Sequence, residues 1–130
     1  MKFLNGKYGL SNAMKVTKIS AVTLPVSEMK KSVDFYSRIP NFKMVYGGPD
    51  KQFTSFLIGD KIKSYLNLKL NEIHSPDFGR IIFYTDDVDE LFAYMQNDEI
   101  ISGLGKLESK PQDATWGERF FHMLDPDGYK

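Results

Sequence analysis

Two histidines, His74 and His122, and no cysteine make up the entire stock of imidazole and thiol in this 130-residue sequence. Disulfides, thiol nucleophiles, iron–sulfur clusters and cysteine-rich zinc sites are therefore excluded. A histidine-based metal centre would need both imidazoles, with carboxylates brought to them by the fold. Glu72, Glu108 and Glu118 are available, but no spacing pairs them with a histidine as a two-histidine, one-carboxylate site. His74 stands in a loop with proline and aspartate, where a solvated role is the ordinary one. His122 lies in Arg119-Phe120-Phe121-His122-Met123-Leu124, apolar on both faces, so alternation does not say which way its ring points. A structural hydrogen bond, an acid–base role and a metal role with Glu118 all stay open for it, since imidazole titrates near neutrality.

Cations on strand faces are the sharper candidates. In Tyr65-Leu66-Asn67-Leu68-Lys69-Leu70 the leucines share one face and Tyr65, Asn67 and Lys69 the other. In Arg80-Ile81-Ile82-Phe83-Tyr84-Thr85, Ile81 and Phe83 share one face, leaving Arg80, Ile82 and Tyr84 opposite. With Ala21 and Thr23 these residues form a polar, aromatic and cationic wall. Lys69 and Arg80 there could hold a carboxylate, phosphate or phenolate, arginine with two parallel hydrogen bonds. Their ordinary alternative is pairing with Glu72 or Asp77, or reaching solvent at the strand ends. Tyr65, Tyr84 and Trp116 could stack on a planar ligand, or pack in a core or a dimer interface. Gly103-Leu104-Gly105 lacks the strand-to-helix setting of a phosphate loop and reads as a flexible hairpin or pocket rim.

The elements that must position these residues follow from periodicity. Val22, Leu24 and Val26 alternate with Ala21, Thr23 and Pro25 as a half-buried strand, with Pro25 marking an edge or strand end. Ser27 occupies an N-cap position, Met29, Ser32, Val33 and Tyr36 follow at helical spacing, and Pro40 predicts a helix stop at Ile39. Three strands are expected at 42–46, 53–58 and 64–70, separated by Gly47-Gly48-Pro49-Asp50 and Gly59-Asp60-Lys61 turns. The pattern then recurs. A strand at 80–85 precedes Asp87 and Glu90 as a capping box and a stripe of Val88, Leu91, Phe92 and Met95. A shift of 59 residues superposes the two helices in register. Strands around Leu107 and over 119–124 lead to the turn Asp125-Pro126-Asp127-Gly128.

Seventeen basic residues balance seventeen acidic ones, the pI is about 6.7, and 42% of residues are hydrophobic. Such a chain buries a core, and it has neither the one-sided basic cluster of a nucleic-acid binder nor an apolar run that spans a membrane. Absent cysteines fit a cytoplasmic setting. Residues 1–15 read as an N-terminal extension, with Ser11-Asn12-Ala13 before Met14 resembling a cloning scar. Residues 16–130 read as one α+β domain of two modules, 18–70 and 78–130, each ordered strand, helix, strand, strand, strand. By that pattern the second module lacks a last strand of roughly seven residues, whose edge Met1 to Leu10 could cover only as an unfavoured substitute.

The run Val22 to Tyr36, Phe42, Asp86-Asp87-Val88-Asp89, Trp116-Gly117-Glu118-Arg119 and Asp125-Pro126-Asp127-Gly128 resembles the vicinal oxygen chelate superfamily, which includes glyoxalases, bleomycin-resistance proteins and extradiol dioxygenases. The resemblance implies two βαβββ modules forming curled mixed sheets around a cavity, in a homodimer. It also implies metal-ligand positions at Ala21, Lys69 and Arg80, with a further one after Lys130. None of the three side chains present offers a lone pair to a cation at neutral pH. The expectation is thus a non-metal, resistance-type binder of an anionic or aromatic small molecule, using Tyr65, Asn67, Lys69, Arg80, Tyr84, Trp116 and His122, with no metal or other cofactor and no catalytic residue assigned. The alternative is a divergent lyase or dioxygenase holding Zn, Ni, Mn or Fe through shifted ligands such as His122.

Overall fold

Leu24, Val26, Phe56, Leu66 and Leu68 are each at most 1% exposed, and all come from the alternating positions of three neighbouring strands. The computed structural model describes residue 2, residues 18–71 and residues 80–130. In it β1 (Ala21–Val26), β2 (Phe42–Tyr46), β3 (Phe53–Ile58) and β4 (Ser64–Leu70) form a sheet in the order β1-β4-β3-β2. β1 runs parallel to β4, and the other pairs are antiparallel. Pro25, which cannot donate to a ladder, sits as expected on an edge strand. Gly47 turns the chain out of β2 at φ +82°, where a Cβ would stand 2.1 Å from the Phe53 carbonyl oxygen.

Helix α1 (Met29–Tyr36) covers one face of this sheet, burying Met29, Ser32, Val33, Phe35 and Tyr36. It ends at Tyr36 rather than Ile39, because Arg38 and Ile39 donate to the carbonyls three residues back, at Phe35 and Tyr36, and the chain tightens into turns ahead of Pro40. Ser27 is not the cap. Glu28 takes that position without a side-chain bond, while Ser27 donates its N–H and hydroxyl to Asp127, 100 residues away, at 2.8 and 2.6 Å. Ser32 Oγ donates to the other Asp127 oxygen at 3.2 Å. A carboxylate at a helix start is favoured by the free N–H groups there, and the turn sequence supplies one from the far end of the chain.

The second half keeps the helical part of the repeat. Helix α2 (Val88–Asn97) starts on Asp87, which accepts the Glu90 N–H at 3.0 Å. A third helix, α3 (Glu99–Leu104), replaces the flexible loop expected around Gly103. Asp98 caps it by accepting from the Ile100 and Ile101 N–H groups. Gly105 ends it in a place where a Cβ would lie 2.5 Å from a Phe35 ring carbon. Met95, Ile101 and Tyr129 join the residues under α1, so one core serves both halves.

The strands of the second half depart from expectation. Residues 119–124 divide into β7 (Arg119–Phe120) and β8 (Met123–Leu124), which pair separately with β6 (Gln112–Asp113) and β5 (Lys106–Leu107). Residues 80–85 make no ladder. In the first half β1 lies on β4, whereas here the segment makes one backbone bond to the stretch after the turn, from Ile81 N–H to the Lys130 carbonyl at 2.9 Å. The N-terminal segment apart from Lys2, together with Glu72, His74 and Asp77, lies outside the described residues.

Candidate functional site

The sheet face away from α1 is the open one. Its central row is Thr23, Asn67 and Ser55, adjacent in register across β1, β4 and β3. Asn67 donates to Thr23 Oγ1 at 3.3 Å and accepts from the Ser55 hydroxyl. Fixed in this way, Asn67 belongs to a polar row that positions its neighbours. Ala21, Tyr65 and Leu57 lie on one side of the row, Pro25, Lys69 and Phe53 on the other. Tyr65 is 42% exposed. Lys69 has no acidic partner among the described residues.

Tyr46 also faces this side, which alternation along β2 does not foretell. A register shift between Met44 and Tyr46 sets Tyr46 opposite Ser55, and its ring meets Phe53 edge-on at 6.3 Å. A bulge turns a side chain to the other face; the Gly47-Gly48 pair that follows is the only signal for it in the sequence. Lys69 therefore stands beside Phe53 and near an aromatic group that is 66% exposed.

A second group forms around His122. Phe121 packs on Phe92 of α2 at 5.3 Å, which sends its neighbours Phe120 and His122 to the opposite side, with ring centroids 5.2 Å apart. The Arg80 Nη1 lies 2.9 Å from His122 Nε2. The main chain of His122 is tied down as well: its N–H donates to Ser109 Oγ and its carbonyl accepts from Glu108 N–H. Arg80 has no acidic partner among the described residues. The faces of 80–85 follow the alternation in part, with no ladder to enforce them: Ile81 packs against the core and Phe83 meets Phe42 edge-on at 5.4 Å but is 48% exposed, while Ile82 and Tyr84 are 84% and 90% exposed.

The site residues read from sequence thus fall into two groups, Tyr65, Asn67 and Lys69 in one and Arg80 and His122 in the other. No hydrogen bond or ring contact among the described residues joins them. Tyr84 makes no hydrogen bond or ring contact with either among the described residues, and Trp116 stands apart at the turn between β6 and β7, its Nε1–H donating to Glu118 at 2.7 Å. That hairpin is braced on α2 by Arg119, which bonds both Asp89 oxygens at 2.7 and 2.9 Å and Asp113 at 3.0 Å. The hydrogen bonds from Arg119 hold the Asp89 carboxyl below its ordinary range. A cleft of about 270 Å³ beside Asn41, Lys43, Leu57, Gly59, Asp60 and Lys63 contains none of the expected site residues.

Metal-holding capacity follows from the donor set. Ala21, Lys69 and Arg80 supply no ligand atom, His122 Nε2 faces a guanidinium, and Glu118 is engaged by Trp116. Among the described residues no three His, Asp or Glu side chains gather as a metal site would require. The described residues therefore do not assemble a donor set for a metal.

Buried acids occur elsewhere. Tyr36 OH donates to Asp125 Oδ2 at 2.6 Å, and Asp125 Oδ1 accepts from the Asp127 and Tyr129 N–H groups at 2.9 Å. Burial raises the Asp125 carboxyl above its ordinary value despite these donors. Burial first, then the Asp125 charge, pushes the Tyr36 phenol well up. The Asp-Pro-Asp-Gly stretch is a turn, as expected, and it is also the polar clasp between the halves. Among the described residues no helix is long and apolar enough to cross a membrane.

The family model described as the Glyoxalase/Bleomycin resistance protein/Dioxygenase superfamily matches residues 18–130. Among solved structures, the chain is similar to a bleomycin resistance determinant encoded on the transposon Tn5, with 21% identity over 87% of this chain and 92% of that one, and a TM-score of 0.65. A lactoylglutathione lyase from Agrobacterium tumefaciens matches at 19% identity over 88% and 90%, with a TM-score of 0.67. A glyoxalase-related enzyme from Fulvimarina pelagi matches at 15% identity over 88% and 84%, with a TM-score of 0.61. No curated protein matches the sequence. At such identities the likeness is one of fold, and one fold hosts many activities.

Proposed function

The chain belongs to the glyoxalase/bleomycin resistance protein/dioxygenase superfamily, and we propose that within it this protein binds a small anionic or aromatic molecule without a metal, as a resistance-type member would. One observation carries the reading: at Ala21, Lys69 and Arg80, where the resemblance puts metal ligands, stand a methyl group and two cations, and neither cation has an acidic partner among the described residues. Cations without an acidic partner on a structured face attract a ligand of opposite sign. Tyr65, Tyr46 and Phe53 beside Lys69 add ring faces and edges on which a planar ligand can rest. The reading includes a homodimer. The large exposed side chains of Ile82 and Tyr84 support it, since a second copy would cover them.

Metal analysis of untagged protein tests the reading, together with nuclear magnetic resonance titration by benzoate, a planar aromatic carboxylate. We expect metal well below one equivalent and benzoate-induced shifts at Tyr65, Lys69 or Arg80. One equivalent of Zn, Ni, Mn or Fe, whose removal abolishes turnover on a glyoxalase or catechol substrate, would establish the metal-dependent alternative instead.

A further inference from the structure

Arg80 and His122 are 42 residues apart in sequence and meet through ring and guanidinium nitrogens at 2.9 Å. Guanidinium is always a donor and has no lone pair to accept with. Nε2 of His122 must therefore accept, which fixes the imidazole as neutral with its proton on Nδ1. Among the described residues no acid neutralises Arg80: a neutral acceptor orients the guanidinium and leaves its positive charge in place. Had the partner been Glu or Asp, the same geometry would have made a closed ion pair. The ring that does the holding is itself held, through Ser109 Oγ, Glu108 N–H and the adjacent Phe120 ring.

We infer that His122 is the positioning residue for Arg80, acting as the Nδ1–H tautomer to hold a guanidinium without an acidic partner among the described residues beside Phe120, where it recognises the carboxylate of an aromatic ligand. The inference rests on the binding reading above and adds the tautomer, the division of labour and the ligand class to it. Arg80 is exposed and keeps the nitrogens not used on His122, so a carboxylate can approach them with paired hydrogen bonds. Phe120 supplies an aromatic wall on the same side.

The experiment has a protein arm and a ligand arm. In the first, long-range proton–nitrogen spectra of nitrogen-15-labelled protein are recorded at alkaline pH, with His74→Gln assigning the two imidazoles. We expect His122 protonated on Nδ1 in the intact chain and shifted toward Nε2 protonation in Arg80→Ala; Nε2 protonation in the intact chain overturns the inference. In the second arm, benzoate is compared with benzamide, its uncharged counterpart. The wild type should prefer benzoate, His122→Leu should lose about tenfold of that preference, and His122→Gln, whose side-chain oxygen can accept where Nε2 does, should restore most of it. Equal preference in the wild type and His122→Leu overturns the positioning role while leaving the binding reading intact. Failure of the wild type to bind benzoate overturns the recognition role and the binding reading together.

Discussion

Replacing Tyr36 with phenylalanine removes the hydroxyl and keeps the ring in place, so its effect is chiefly that of the buried hydrogen bond to Asp125 Oδ2 at 2.6 Å. Tyr36 is 5% exposed and Asp125 is 7% exposed, so water is poorly placed to substitute. Leaving a buried acceptor without its donor costs about 1–3 kcal/mol, with charged acceptors toward the upper end. Urea denaturation at neutral pH should show that loss as a lower midpoint with an unchanged slope. The pH dependence gives a second, independent reading. Burial, then the Asp125 charge, raises the Tyr36 phenol in the folded chain. A group whose folded pKa is raised stabilises the fold below its unfolded value and loses that contribution as pH climbs toward the folded value.

For a tyrosine that window opens at about pH 10. Above it, the cost of Tyr36→Phe should shrink by up to about 1.4 kcal/mol per pH unit, because the wild type loses what the variant never had. On the acid side, the hydrogen bond from Tyr36 lowers the Asp125 carboxyl against the larger effect of burial. Its removal should therefore move the Asp125 titration to higher pH. A variant within about 0.5 kcal/mol of wild type at neutral pH, or a cost that stays constant through the alkaline window, would refute the reasoning.

Asp125→Asn should alter the acid side in its own way. A carboxyl raised in the folded state makes stability fall as pH rises from the ordinary aspartate value through the raised one, and urea midpoints across that range should lack this fall in the variant. Gly105→Ala would drive a methyl group to 2.5 Å from the Phe35 ring and 2.9 Å from the Leu124 carbonyl oxygen. It should cost about 1–3 kcal/mol by denaturation. Asp98→Ala removes the acceptor for the Ile100 and Ile101 N–H groups and should cost about 1 kcal/mol, with faster hydrogen exchange confined to α3.

The strands at 53–58 and 64–70 were legible residue by residue, because alternating buried and exposed positions also set strand register, whereas for 42–46 only the bounds were legible, since its residues after Phe42 are all exposed and its register shifts. The same rule misled at 80–85. Alternation of Ile81 and Phe83 reports which face turns inward, and Ile81 does pack against the core while Phe83, 48% exposed, only meets Phe42, but it carries no information about whether a neighbouring strand supplies a ladder. Helix α3 escaped because Gly103 and Gly105 punctuate six residues that Asp98 caps, and so short a helix owes its stability to packing of Ile101 rather than to propensity. The contact of Asp127 with Ser27 spans 100 residues, a distance over which no local pattern speaks. In the candidate site, the outward face of β4 was readable, while the bulge at Tyr46 and the direction of His122 were decided by tertiary contacts.

Those contacts also explain how a segment without a ladder presents a defined side chain. Tyr36 holds Asp125, Asp125 holds the Tyr129 N–H and donates its own N–H to the Tyr129 carbonyl, and the Tyr129 hydroxyl is anchored on the Pro25 carbonyl of the edge strand. Tyr129 is 3% exposed, so the residue after it emerges from the core at a fixed place. There the Lys130 carbonyl takes the Ile81 N–H, next in sequence to Arg80, while His122 takes the Arg80 side chain itself. The backbone and the guanidinium of this position are thus constrained by separate groups, one reached through the buried clasp and the other through β7 and β8. Tyr36→Phe should consequently disturb the Ile81 amide resonance while leaving the His122 tautomer unchanged, and His122→Leu should do the reverse; a variant that moved both would mean that the two constraints are one.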